Sequence, residues 1–324
     1  MGHLRNGNWH NDDVVTTNDS GEFQREASDF RDRIASDHPE FPPERDRYHL
    51  YVSYACPWAH RTLIARKLKK LDDVITVDVV HPHMLENSWE FRSDFEGSTG
   101  DTINGHEFLY EVYQQHDPHI TTKVTVPVLW DKKTRRIVNN ESSDILRILN
   151  SAFEDVAARA DGDGADPIQE PVDLYPAALQ VEIDEVNGLI YEPINNGVYK
   201  TGFATDQKSY EHAFTELFGA LEEIEKRLTG ERFLVGDVLT EADVRLVTTL
   251  IRFDPVYYIH FKCNDRKISE FVALSRFLER MLSIDAIASS THIDHIKQHY
   301  YYSHDFINPH RIVPLGPRDV VMNT

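Results

Sequence analysis

Apolar residues along the chain follow two regimes, short runs of strand formers with helical stretches between them in the first part and helical spacing alone in the second. His49-Leu50-Tyr51-Val52-Ser53-Tyr54 is a short run of strand formers, and residues 57–70 after it show helical periodicity, with Pro57 at the first helical position and Lys and Arg at the end. Val74–Val80 is a second β-branched run, so strand, helix and strand predict a βαβ unit with a parallel pair. A polar insertion covers residues 81–122. Val124–Trp130, a turn over Asp131–Arg136 and Ile137-Val138 then predict a hairpin, followed by a helix capped by Ser142 or Ser143 and running to about Leu149.

Periodicity is lost over residues 155–173, where Asp, Gly and Pro gather, which predicts a linker. Beyond it the spacing predicts helices at about 174–192, 207–229, 241–260 and 269–283. Thr240 and Asp243 have the spacing of a capping box at the start of the third. Residues 300–324 carry Pro309, Pro314, Gly316 and Pro317 and predict an irregular strap. The expected organisation is therefore an N-terminal extension over 1–46, draped on the surface, an α/β domain over 47–154 and an all-helical domain over 174–324.

Composition narrows the function. The 324 residues hold 54 acidic and 34 basic side chains, a net charge of −20, which repels phosphate backbones and argues against nucleic acid as a partner. No apolar stretch approaches the roughly 20 residues of a membrane span, and the first residues lack the apolar core of a secretory signal. Two cysteines make no disulfide framework, so a cytoplasmic setting is expected. Aspartates (30) outnumber glutamates (24) and lysines are only 12, a balance resembling proteins of salt-accumulating halophiles.

Cys56 falls between strand and helix, directly before Pro57. A sulfur there faces unpaired backbone N–H groups and the positive end of the helix dipole, which favours the nucleophilic thiolate. In thioredoxin-like folds a cis-proline stands opposite such a cysteine, and Val126-Pro127 occurs at the matching place in the element order. Position 59 is Ala, so there is no Cys-x-x-Cys pair and the chemistry is monothiol. Cys263 lies far off and reads as a buried structural residue. Glu141 and Ser142 at a helix start suit an ammonium and a carboxylate, the two groups a γ-glutamyl carbon carries. The fold class expected is α/β plus all-α, a thioredoxin-like domain followed by a helical domain.

Several motifs occur together: Tyr54-Ala55-Cys56-Pro57-Trp58-Ala59-His60-Arg61, Thr125–Asp131, Asn140-Glu141-Ser142-Ser143, Asn195–Lys200 and His299–His304 with Ile307-Asn308-Pro309 and Pro314–Pro317. From about Asn8 to Pro317 the chain resembles the xi-class glutathione transferases, the glutathionyl-hydroquinone reductases. That resemblance implies a helical glutathione-transferase C-terminal domain, a homodimer, and glutathione as co-substrate without a metal. It implies Cys56 as the catalytic cysteine, Trp89, Val126, Pro127, Glu141 and Ser142 as thiol-binding residues, and Tyr199 and Tyr300 as the lining of the aromatic-substrate pocket. Small-molecule thiols and quinone conjugates are the expected partners. The reaction implied is thiol-dependent reduction of glutathionyl-hydroquinones to hydroquinones through a Cys56 mixed disulfide.

Two other readings share the cysteine. One is an omega-like monothiol transferase, a deglutathionylase or dehydroascorbate reductase, against which the 81–122 insertion, Trp89 and the long tail count. The other keeps the reaction but takes γ-glutamylcysteine as the thiol, which the halophile-like charge balance raises and which Glu141-Ser142 would read equally well. A non-catalytic binding module has no need of Cys56, Glu141 and Ser142. The histidines at 81, 83, 292, 295 and 299 share no motif with a cysteine or an acidic cluster, so no metal is expected.

Overall fold

The structure is a computed structural model and describes residues 2–12, 15–158 and 172–317. Most of the expected linker, residues 159–171, and the end of the strap, residues 318–324, lie outside the described residues. The chain divides into two compact units, Met1–Val14 with Ala27–Asp173, and Val15–Glu26 with Leu174–Thr324. The extension expected over 1–46 is thus divided, because Val15–Glu26 belongs with the second unit.

The first unit begins with β1 (His3–Arg5) and β2 (Asn8–His10), an antiparallel hairpin turning at Asn6 and Gly7, both at positive φ. Asn-Gly is the preferred pair for a two-residue turn of this kind. Then follow β3 (Tyr48–Val52), α1 (Pro57–Leu68), β4 (Thr76–Val79), α2 (Leu109–His116), β5 (Thr122–Lys123), β6 (Val128–Asp131), β7 (Arg136–Asn139), α3 (Ser142–Ser151) and α4 (Glu154–Ala158). One sheet has the order β4-β3-β6-β7, with β3 parallel to β4 and antiparallel to β6. A second small sheet, β2-β1-β5, ties the N-terminal hairpin to the chain just before Val126.

Three expectations change here. The run Val124–Trp130 is not one strand: only its end, from Val128, is in β6, which pairs with β3 and β7, while β5 ends at Lys123 before the run and the cis bond Val126–Pro127 lies in the non-strand part. Proline donates no ladder hydrogen bond, so the break falls beside it. The polar insertion contains α2, whose Leu109, Val112 and Tyr113 are buried. At α3 the cap is Glu141, whose carboxylate accepts from Ser143 N, while Ser142 is the first helical residue.

The regular elements of the second unit, among the described residues, are mainly helices: α5 (Gln180–Ile190), α6 (Gly197–Phe203), α7 (Gln207–Arg227), α8 (Glu241–Arg252), α9 (Tyr258–His260), α10 (Val272–Leu282), α11 (Asp285–Ala288) and α12 (Ile293–Lys297), while Val15–Glu26 adds only the bridge Thr17–Phe23. Three wide π turns interrupt them, at Tyr191–Asn195, Phe253–Tyr257 and Gln298–Tyr302. Two contain a proline, Pro193 and Pro255, which removes a donor from the helical ladder. The helix expected over 241–260 is therefore α8, a π turn and α9. No helix among the described residues is long and apolar enough to cross a membrane.

α8 is buried along its whole length, and its start is fixed by the expected capping box. The Asp243 carboxylate accepts from Thr240 N and from Leu234 N, each at 2.8 Å. Burial pushes that carboxyl up to about 6, against the hydrogen bonds that hold it down. A second buried polar pair is His260 and His304, with Nε2 and Nδ1 3.2 Å apart. Burial, and then the nearby Lys262, lowers His260 to about 4, and burial with the neighbouring His299 and His260 takes His304 well below its ordinary value.

Asp243→Ala leaves two buried backbone donors without their acceptor, so a loss of about 2–4 kcal/mol is expected in urea unfolding. Unchanged unfolding would refute the bracing role of the carboxylate. The histidine pair sets a pH dependence. Because the folded His260 is depressed, the unfolded chain takes up its proton first, and stability falls as pH drops from about 6.5 towards 4. Wild type is expected to lose about 2 kcal/mol from this group by about pH 5. His260→Gln should lose correspondingly less over the same interval, and an equal loss in both proteins would contradict the assignment.

Candidate active site

Cys56 is placed by the end of β3. After Val52 the chain turns, Cys56 N donates to Ser53 O at 3.1 Å, and Cys56 becomes the N-cap residue of α1 with extended backbone (φ −79°, ψ 122°). Pro57 starts the helix at no cost, since its missing N–H would have had no partner within the helix. The cysteine side chain makes no capping hydrogen bond, and the first turn holds no acidic residue. The thiol is half-buried, and its Sγ lies 3.6 Å from Val126 O. The cysteine and the backbone before the cis-proline therefore face each other.

The segment carrying Val126 is held by a residue the sequence reading missed. Tyr113 of α2 is fully buried, donates to Thr125 O at 2.9 Å and accepts from Thr125 N at 3.3 Å and from Asn140 Nδ2 at 3.3 Å. Burial, opposed by these hydrogen bonds, raises its phenol above the ordinary value. Its only sequence signal was a tyrosine at helical spacing after Leu109 in an otherwise polar insertion.

Glu141 stands at the start of α3. Its Oε1 accepts from Ser143 N at 3.0 Å and Ser143 Oγ at 2.9 Å, and its Oε2 from Ser28 Oγ at 3.0 Å. Burial acts to raise this carboxyl, but the Ser143 and Ser28 hydrogen bonds and the charge of Arg61 outweigh it, holding Glu141 below its ordinary value. Arg61 is 1% exposed, lies over the Trp58 ring at 4.4 Å and reaches Ser142 Oγ with Nη1 at 3.5 Å. Neither Ser28 nor Arg61 was singled out from sequence as a partner of this site. Arg61 follows the cysteine motif by helical spacing, whereas Ser28 carried no signal. Trp89 is 6% exposed, between the turn Leu85–Ser88 and the bridge Glu90–Phe108, and its carbonyl accepts from Leu109 N at 3.0 Å. The first unit thus brings Cys56, Val126 and Pro127 together at one helix start and Glu141 and Ser142 together at another.

In the second unit Tyr199 of α6 and Tyr300 of the last π turn meet through their hydroxyls at 2.6 Å. A third hydroxyl joins them: Tyr257, at the end of the Phe253–Tyr257 π turn, lies 3.1 Å from the Tyr300 hydroxyl. Burial pushes Tyr257 and Tyr300 well above the ordinary phenol range, so both remain protonated. Arg25 lies over the Tyr199 ring at 5.1 Å and donates to Asn196 Oδ1 at 2.7 Å. Tyr257 was missed because its helix looked continuous, and the π turn that aims it is visible only in three dimensions. Cys263 is fully buried, near Val198 O and Phe261 O at 3.9 and 3.8 Å, and burial drives its thiol far up.

Comparison with known proteins agrees with this geometry. Family models for the glutathione S-transferase N-terminal and C-terminal domains match residues 55–152 and 207–280. The glutathionyl-hydroquinone reductase YqjG of Escherichia coli is 50% identical over 98% of this chain and 95% of its own length. The crystal structure of the glutathione S-transferase Xi of Phanerochaete chrysosporium superposes with a TM-score of 0.89 at 47% identity, covering 95% of this chain and 96% of that one. The glutathione-bound structure of YqjG gives a TM-score of 0.86 at 47% identity, over 99% of this chain and 97% of that one. With an α/β unit that presents a cysteine at a helix start, and with that degree of identity along nearly its whole length, the chain belongs to the xi-class glutathione transferases, the family of the glutathionyl-hydroquinone reductases.

Proposed function

We propose that this protein reduces glutathionyl-hydroquinones to hydroquinones with a thiol as reductant. The observation that carries the proposal is the half-buried Cys56 at the start of α1, facing Val126 O and without a second cysteine in its motif. Cys56 thiolate attacks the thioether sulfur, forming Cys56–S–SG as the carbon–sulfur bond breaks. The aromatic carbon takes a proton and leaves as the hydroquinone. A second thiolate then attacks the mixed disulfide, which releases the oxidised thiol dimer and restores Cys56. One conjugate and one thiol thus become one hydroquinone and one disulfide.

The remaining residues take roles consistent with their chemistry. Val126 offers its backbone to the cysteinyl part of the thiol, with Pro127 setting the turn. The lowered Glu141 is a carboxylate that suits the γ-glutamyl ammonium, while the α3 start and the Ser142 hydroxyl suit its carboxylate. Trp89 packs against the thiol. The Tyr199–Tyr300 hydroxyl pair is assigned to the hydroquinone oxygens, and one of the two supplies the proton to carbon. A homodimer in the cytoplasm is the setting assigned, in keeping with the family resemblance and the absence of a disulfide framework.

Cys56→Ser is expected to abolish turnover of glutathionyl-menadione, since a serine hydroxyl forms no mixed disulfide, whereas Cys263→Ser should keep most of it. Mass spectrometry of the wild type after one turnover without added thiol should find the thiol adduct on Cys56. Full activity in Cys56→Ser would end the proposal, and turnover of dehydroascorbate alone would move the activity to the omega-like reading.

The thiol itself is a second variable. The γ-glutamyl end is common to glutathione and γ-glutamylcysteine, and self-repulsion at a net charge of −20 weakens at molar salt, where the Debye length shrinks to about 3 Å. Rates with the two thiols should agree within about tenfold, and unfolding should shift upward in molar salt. A strong preference for glutathione together with full stability in dilute buffer would exclude the γ-glutamylcysteine variant.

A further inference from the structure

The N-terminal hairpin is built into the first unit. β1 pairs with β5, with Leu4 opposite Thr122 and His3 opposite Lys123, and Leu4 is fully buried. The turn is held as well: Gly7 N donates to Ile120 O at 2.8 Å, Asn6 N to Thr121 Oγ1 at 2.9 Å, and Gln114 Nε2 to Gly7 O at 2.8 Å. Gly7 has φ +75°, and a Cβ there would stand 1.8 Å from Pro118 O, so the close approach needs glycine. β5 then leads within three residues to Val126.

The other strand of the hairpin grips a second segment. Trp9, opposite Leu4, donates its Nε1–H to Glu86 O at 3.0 Å and stacks on Tyr110 at 4.9 Å with an interplanar angle of 18°. Tyr110 stacks in turn on Phe108, with ring centroids 5.2 Å apart. Glu86 lies in the turn Leu85–Ser88, closed by Ser88 N to Leu85 O at 2.9 Å, and the next residue is Trp89. Phe108, at the far end of the ring stack, bridges Glu90 on the other side of Trp89. A Cβ on Gly2 would fall 2.3 Å from the Trp9 ring, so the indole is packed against its own hairpin too.

One hairpin therefore holds both segments that carry the proposed thiol-binding residues Trp89 and Val126. We infer that the N-terminal hairpin is a positioning element of the thiol site, and that the Trp9 indole, bonded to Glu86 O and stacked on Tyr110, sets the place of Trp89. Trp9 acts through Trp89 and through the β1–β5 pairing, not on the thiol itself. Without it the 85–89 turn samples other arrangements, and affinity falls by the fraction of time the binding arrangement is lost.

This inference rests on the thiol-site reading above, so its test separates the two. Binding of S-methylglutathione, which cannot react, is measured by titration calorimetry on the full chain. Wild type should bind, Trp9→Ala should bind about tenfold more weakly, and Trp9→Phe, which keeps the ring stack but not the N–H, should lose about threefold. Thr240→Ala, a cap in the other unit, should melt earlier with its affinity intact. Wild-type affinity in a folded Trp9→Ala, or in Trp9→Phe should Trp9→Ala not fold, overturns the inference. So does an equal loss in Thr240→Ala, which would make the effect one of stability. A wild type that does not bind removes the thiol-site reading, and the inference with it.

Discussion

The first unit is organised around β3, because that strand is paired along both edges and buried along its whole length. Its parallel partner β4 and its antiparallel partner β6 fix its register, and a one-residue slip would turn every side chain to the wrong face. A buried ion pair and a buried imidazole–carboxylate contact reinforce the register. Arg47, just before β3, meets Asp131 at the end of β6 through two hydrogen bonds of 2.9 and 2.7 Å, and His49 Nε2 lies 3.3 Å from Asp78 of β4. The Arg47–Asp131 pair adds little net stability when complete, yet breaking it leaves a buried charge alone, so it penalises any other arrangement. Cys56 stands four residues beyond the end of this strand, and its position is inherited from that register.

The same sheet accounts for the placement of the other thiol-end groups. β6 begins immediately after Pro127, so pairing β6 to β3 carries the Val126 carbonyl to within 3.6 Å of Cys56 Sγ. β7 follows β6 and ends at Asn139, whose side chain accepts from Glu141 N at 2.7 Å as α3 begins. Two helix starts are thereby set beyond the ends of β3 and β7, with β6 between them in the sheet, one open at a thiol and one closed by a carboxylate. The difference is chemical as well as geometric. An uncapped start leaves N–H groups directed at the sulfur, and a capped one leaves a fixed negative charge.

The second unit uses another device. π turns insert an extra residue into a helix, which rotates the side chains after it relative to those before. Tyr257 closes one such turn and Tyr300 lies within another, and their hydroxyls meet with that of Tyr199. Around them Phe203, Phe261 and His304 pack on the tyrosine rings with centroids 5.3–5.8 Å apart. The three hydroxyls hydrogen-bond one another, which is how polar groups persist among so many rings.

Much of this was written locally in the chain. Short runs of strand formers, the Cys56-Pro57 helix start, the Thr240–Asp243 box and the proline after Val126 each act through contacts within a few residues, so the sequence carried the βαβ and hairpin order, the helical second half and the monothiol chemistry. What it did not carry depends on partners far along the chain. Leu4 finds Thr122, Ser28 finds Glu141, Tyr113 finds Thr125 across a polar insertion, and residues 15–26 leave the first unit for the second. Nor does periodicity register a π turn, because one added residue leaves an apolar pattern nearly intact while turning Tyr257 onto Tyr300. Local chemistry determined which groups could react, and long-range pairing alone decided which of them stand within hydrogen-bonding reach of one another.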